Sequence, residues 1–160
     1  DDRQTGECTG QGNPRRATGG IGWSMRIVLD TNVLVSGLHN PNGAPGRIVD
    51  LILGARILVL YDDRILAEYL DVLARPQLAI EPSLAQAVVG YIRLSGERVM
   101  SLPLDKDTLP DPDDLPFAEV AITGEADLLV TGNMKHFSRL KARGVTVLPP
   151  AQCLERSLYS

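Results

Sequence analysis

The chain has 160 residues, enough for one domain with a packed core, and no apolar stretch reaches the length of a membrane span. Its formal net charge of −4, from 20 acidic and 16 basic residues, excludes a uniformly polybasic nucleic-acid binder. The two cysteines, Cys8 and Cys153, make no metal motif, and the simplest reading is a reducing cytoplasm and no structural disulfide.

Residues 1–24 are rich in Gly, Thr, Gln and Arg, lack apolar periodicity and have no signal-peptide core. That composition predicts a disordered N-terminal extension, either an upstream segment or a cloning remnant. Residues 25–160 read as one domain beginning at Met25. Arg26-Ile27-Val28-Leu29-Asp30 is a short continuous apolar run, the signature of a buried parallel strand. Asn40 to Gly46 reads as a loop, followed by a helix over about 46–54 and a second strand at Ile57 to Leu60. Asp62 or Asp63 caps the next helix, which ends near Arg75-Pro76. Ser83 caps another, with Leu84, Ala87, Val88, Tyr91 and Ile92 on one face. Val99 to Leu102 reads as a short strand, and a helix is expected from Leu115 to Gly124. Ala126 to Thr131 is a strand, His136 to Arg143 a short helix stopped by Gly144, and Val145 to Leu148 the last strand. A terminal helix starts near Pro150. Alternation of this kind predicts an α/β fold: a central, mainly parallel sheet of four to five strands flanked by helices.

The acidic residues fall where such a sheet binds ligands. Asp30 stands at the carboxyl end of the first strand, facing the crevice of an open α/β sheet. It could also cap the following turn through the amides of Asn32 and Val33, but Thr31 and Asn32 add oxygen groups at the same strand end. Glu68 lies at the margin of the apolar helix face made by Ile65, Leu66, Tyr69, Leu70 and Leu73, whereas Asp71 points away from it. Asp111, Asp113 and Asp114 precede a helix; one of them, Asp113 or Asp114, suits a cap, yet three clustered carboxylates repel unless a cation neutralises them. Asp114, at the helix entry, is the preferred ligand, with Asp111 and Asp113 in support. Thr131 and Asn133 end the later strand, Asn133 offering a neutral oxygen, while Asp127 at its start reads as structural. Together these oxygens suit Mg²⁺ or Mn²⁺.

Charge is uneven. Between Asp105 and Asp127 stand eight acidic residues and one lysine; between Asn133 and Arg143 stand Lys135, Arg139, Lys141 and Arg143 and no acid. An acidic pocket beside a basic rim suits a metal-dependent enzyme acting on a polyanion. His136 reads as a surface or capping residue rather than a general base.

In this order, Ile27 to Ser36, Leu66-Ala67-Glu68-Tyr69, Asp111 to Phe117 and Ala126 to Asn133 resemble the PIN-domain family of metal-dependent ribonucleases, over about Met25 to Leu154. The likeness is greatest to the bacterial toxin components of toxin–antitoxin pairs, similar to VapC-type toxins. It implies a PIN-like three-layer α/β/α fold. It maps the family's first acid onto Asp30, its helical glutamate onto Glu68 and its third acid onto Asp114, with Thr31 matching a frequent hydroxyl. The fourth acidic position falls on Asn133, which removes one negative charge.

The resemblance implies hydrolysis of RNA phosphodiesters with a Mg²⁺ or Mn²⁺ ion held by Asp30 and Asp114, with Glu68 as ligand or water-activating group and Asn133 as a further oxygen donor. Lys135, Arg139, Lys141 and Arg143 would contact the RNA backbone. An antitoxin protein and a homodimer are the expected partners, the latter through the apolar face of the 83–92 helix if that face is not core. Asn133 also motivates an alternative, a catalytically silent PIN-like module that binds RNA or protein. A phosphotransferase of the haloacid-dehalogenase kind needs a second aspartate where Asn32 stands, and no Gly-rich phosphate loop follows the first strand.

Overall fold

Strand β1, Met25–Leu29, is buried along its whole length at the centre of the fold. The computed structural model describes residues 25–158; the 1–24 extension and Cys8 lie outside the described residues. β1 is flanked by β2 (Ile57–Tyr61) and β4 (Leu128–Val130), both parallel to it. β3 (Glu97–Arg98) and β5 (Val147–Leu148) extend the sheet to the order β3-β2-β1-β4-β5, parallel throughout. Every residue of β1, β2 and β4 is buried, which is why these segments read as unbroken apolar runs.

Seven α-helices occur among the described residues: α1 Thr31–His39, α2 Ala44–Leu53, α3 Asp63–Leu73, α4 Pro82–Ser95, α5 Leu115–Thr123, α6 Met134–Phe137 and α7 Pro150–Leu158. Helices α2 and α4 pack on β2 and on each other, and α7 joins α2. α5 covers β1, β2 and β4 from the other face, completing the three-layer α/β/α arrangement.

Several local expectations are corrected. Helix α1 starts directly after β1, over residues 31–39 to which the sequence pattern assigns no element, and α2 begins at Ala44, inside the expected loop. A Cβ on Gly46 would lie 2.3 Å from the Pro41 carbonyl oxygen, so the loop folds back on α2 only because glycine stands there. Asp62, not Asp63, caps α3 by accepting from the Ile65 amide at 3.0 Å. α4 begins at Pro82 after Glu81, so Ser83 lies in its first turn rather than at its cap. Its buried face is Ala85, Val88, Val89 and Ile92, while Leu84 and Ala87 are exposed. The third strand is Glu97–Arg98 and not 99–102, because β2 ends its pairing there. Beyond α6 the chain tightens into a 3-10 turn, Ser138–Arg143, closed by Gly144 at φ 80°.

Two ion-pair networks hold the sheet ends. At the amino end, the buried Arg26 guanidinium donates to Glu97 at 2.6 Å and to the carbonyls of Gly124 and Glu125, and the Arg26 amide donates to Asp127. Asp127 thus has the structural role read from the sequence. Beyond β2, Arg64 joins Asp62 to the buried Glu119, which also accepts the Leu104 amide at 2.7 Å. This second network fixes the segment that leads into the acidic loop. Cys153 is a free, buried thiol in α7.

Candidate active site

The chain leaves β1 for one side of the sheet and leaves β4 for the other, so the topological switch point lies between their carboxyl ends. Crevices of this kind are where open α/β sheets bind ligands. Asp30 and Thr131 stand side by side there, because the Asp30 amide continues the β1–β4 pairing by donating to the Val130 carbonyl at 2.9 Å. The Thr131 hydroxyl donates to Asp30 Oδ2 at 2.7 Å and accepts the Asn133 amide at 3.0 Å, which fixes its direction. Asp30 is only 7% exposed. Burial raises its carboxyl pKa, opposed by the Thr131 hydroxyl, the Thr31 amide, the charge of His136 and the Asn32 amide. Its side chain makes no capping hydrogen bond of standard geometry for α1.

Helix α3 brings the second acid. Its apolar stripe packs inward through Ile65, Leu66, Tyr69 and Leu73 and leaves Glu68 half-buried at the margin. There Glu68 Oε2 accepts the hydroxyl of Thr31, the residue after Asp30. Tyr69 is fully buried, and its phenol pKa is raised well above the usual value by burial and by the charges of Asp30 and Glu68.

The third acid enters from the loop before α5. Asp111 caps the turn Pro112–Asp114, its Oδ1 accepting the Asp113 amide at 2.9 Å. Asp114 occupies the N-cap position of α5 but its side chain makes no capping hydrogen bond, so its carboxylate is available for other work. Burial raises the Asp114 pKa to about 6, Asp30 adds to the rise, and His136 opposes it. Asp114 Oδ2 lies 2.9 Å from His136 Nδ1. Ligand atoms of Asp111, Asp114 and His136 all lie within 4.8 Å of one another.

The structure therefore gathers Asp30, Thr31, Glu68, Thr131, Asp111 and Asp114 around one crevice and adds His136, where the sequence suggests only a surface or capping residue. The signal for His136 was its place three residues after Asn133, one helical turn into α6. Asn133 is half-buried at the head of α6, joined to the site through its amide and Thr131. Asn32 and Asp113 are exposed. Lys135, Arg139, Lys141 and Arg143 are also exposed, along α6 and the turn after it, and Arg139 donates to the Asp107 carbonyl at 3.1 Å.

The donor set is hard and anionic, with one imidazole, and fits Mg²⁺ or Mn²⁺. Two carboxyls whose pKa values are raised by burial and, at Asp114, by a neighbouring carboxylate are groups a cation would relieve. No helix among the described residues is long and apolar enough to cross a membrane.

The chain is similar to the uncharacterized protein MJ1680 of Methanocaldococcus jannaschii, 28% identical over 142 residues that span 82% of this chain and 90% of the relative. Its fold is similar to a chain in the crystal structure of VapBC2 from Rickettsia felis bound to a DNA fragment from their promoter, with a TM-score of 0.49 and 19% identity, covering 78% of this chain and 98% of that one. The family described as PIN domain matches residues 26–135, a stretch that contains Asp30, Glu68, Asp114 and Asn133. The chain belongs to the PIN-domain family.

Proposed function

We propose that this protein is a metal-dependent endoribonuclease, the toxin of a toxin–antitoxin pair, acting in the cytoplasm. The observation that carries the reading is the convergence of Asp30, Glu68 and Asp114, from three separate elements, at the switch point of a PIN-family sheet. Asp30 and Asp114 would hold a Mg²⁺ or Mn²⁺ ion, with Glu68 and Asn133 as further oxygen donors and Asp111, Asp113 and Asn32 in support. When bound, the cation lowers the pKa of a coordinated water and neutralises charge developing on the phosphate.

The chain's own groups supply the rest. Thr131 and Thr31 use their hydroxyl hydrogens on Asp30 and Glu68, so both carboxylates keep fixed directions. Glu68, engaged by Thr31 at Oε2, offers Oε1 to orient the attacking water or take its proton. Asn133 positions the scissile phosphate. Lys135, Arg139, Lys141 and Arg143 hold the RNA backbone without reading bases. A cognate antitoxin and a second copy of the chain are the proposed protein partners.

The test is cleavage of a labelled structured RNA by wild type and Asp30→Asn, with Mg²⁺ or Mn²⁺ and with EDTA. Metal-dependent cleavage that Asp30→Asn abolishes supports the proposal. Because the family's fourth acid is Asn133 here, a silent binding module is the second reading; Mn²⁺ binding without any cleavage by wild type would favour it and overturn the nuclease.

A further inference from the structure

The segment from Thr131 to His136 touches both principal carboxylates. At its start Thr131 donates to Asp30 Oδ2 at 2.7 Å; at its end His136 Nδ1 lies 2.9 Å from Asp114 Oδ2. Between them the Asn133 amide donates back to Thr131 at 3.0 Å, and the His136 amide donates to the Asn133 carbonyl at 3.2 Å. The four bonds form one unbroken path from Asp30 to Asp114 only when the short helix α6 is wound, since winding is what brings His136 one turn above Asn133. Asp30 follows β1 and Asp114 comes from the loop before α5, so this path joins two segments far apart in sequence.

We propose that His136 is the positioning residue of this site, holding Asp114 for the cation and taking over the supporting role that an acid at position 133 would have. This rests on the metal-site reading given above. An Asp114 carboxylate that serves as a ligand is ionised, so the hydrogen in the 2.9 Å contact sits on His136 Nδ1. That bond engages Oδ2 and fixes the direction of the carboxylate, as the hydrogen bonds that ligating carboxylates commonly accept do. Asn133 fits the same scheme. A carboxylate there would add a third negative charge beside Asp30 and Asp114, whereas an amide at the head of α6 keeps the backbone link to Thr131 without it.

The test is Mn²⁺ affinity, measured by electron paramagnetic resonance on the full chain without RNA, for wild type, His136→Asn and His136→Leu. Asparagine can place an N–H near the Nδ1 position; leucine fills similar space with no donor. The expected result is a Kd raised about 10-fold or more by His136→Leu and largely restored by His136→Asn, with both variants keeping the wild-type circular dichroism. If wild type also cleaves RNA, His136→Leu should lower kcat at saturating Mn²⁺ with little change in the KM for RNA. Equal Mn²⁺ affinity in wild type and His136→Leu would overturn the proposal, as would equal weakening in both variants, which would mean that the donor is not what matters. Mn²⁺ binding that responds to His136 in a protein that cuts no RNA would uphold this inference and overturn only the nuclease. A wild type that binds no Mn²⁺ would overturn both.

Discussion

The Tyr69 hydroxyl donates to the Leu29 carbonyl at 2.5 Å, tying α3 to the last residue of β1 and setting the neighbouring Glu68 against the Asp30–Thr31 corner. Tyr69→Phe leaves that buried carbonyl without its donor. The expected cost is about 1–3 kcal/mol in stability, measured by urea denaturation. A severalfold fall in RNA cleavage should accompany it, because Glu68 loses its fixed height on the sheet. Unchanged cleavage with reduced stability would show that Glu68 does not depend on this tie.

The raised carboxyl at Asp114 makes stability depend on pH in a defined direction. Its pKa is about 6 in the fold, against about 3.9 in an unfolded chain. The folded protein therefore holds this proton more tightly. The stabilisation from the protonated form is complete below about pH 4 and is lost as pH rises through about 6. In EDTA, Asp114→Asn should match wild type near pH 4 and melt at a higher temperature at pH 7. Millimolar Mn²⁺ should reverse the order at pH 7, since wild type gains binding energy that the variant lacks. Thermal melts at both pH values with and without Mn²⁺ check the four outcomes.

The exposed basic side chains after β4 bear on salt dependence. If Lys135 and Lys141 contact phosphates, replacing either with alanine should lower the slope of log affinity against log salt by about 0.7 for single-stranded RNA. The loss should be the same for RNAs of different sequence. Filter binding across a salt series with the Asp30→Asn protein, which cannot consume the RNA, gives the slope. An effect confined to one RNA sequence would make these residues base readers instead.

Two glycines should respond in opposite directions to alanine. At Gly46 the new Cβ meets the Pro41 carbonyl oxygen at 2.3 Å, and the expected destabilisation is about 1–3 kcal/mol. At Gly90, inside α4, a Cβ meets nothing within 4 Å, and alanine should stabilise by about 0.5–1 kcal/mol. Denaturant midpoints of the two single variants decide both.

Much of the sheet was legible because a strand covered on both faces must be apolar along its length, as β1, β2 and β4 are. Helix α1 was not, for a local reason: Thr31-Asn32-Val33-Leu34-Val35 is rich in β-branched residues and follows β1 with no intervening turn. The α4 stripe was read one position out of phase, since Ala85 and Val89 are as compatible with a buried face as Leu84 and Ala87. Asp30 and Asp114 stand out by their strand-end and helix-entry positions, whereas Glu68 is marked by the family resemblance more than by its helix margin; Thr31 links Glu68 to the Asp30 corner. The role of Asp111 as the turn's cap and the contact between His136 and Asp114 were not. Both depend on loop geometry, and no sequence period places residue 114 beside residue 136.

The outermost strands, Glu97–Arg98 and Val147–Leu148, are only two residues long. Each presents scarcely one rung of open backbone, and the first carries a charged residue at both of its positions. Natural sheets shorten and charge their borders in this way to refuse intermolecular strand pairing. Among the described residues, the sheet therefore offers little for another copy to extend, which leaves helices and loops as the larger surfaces for self-association.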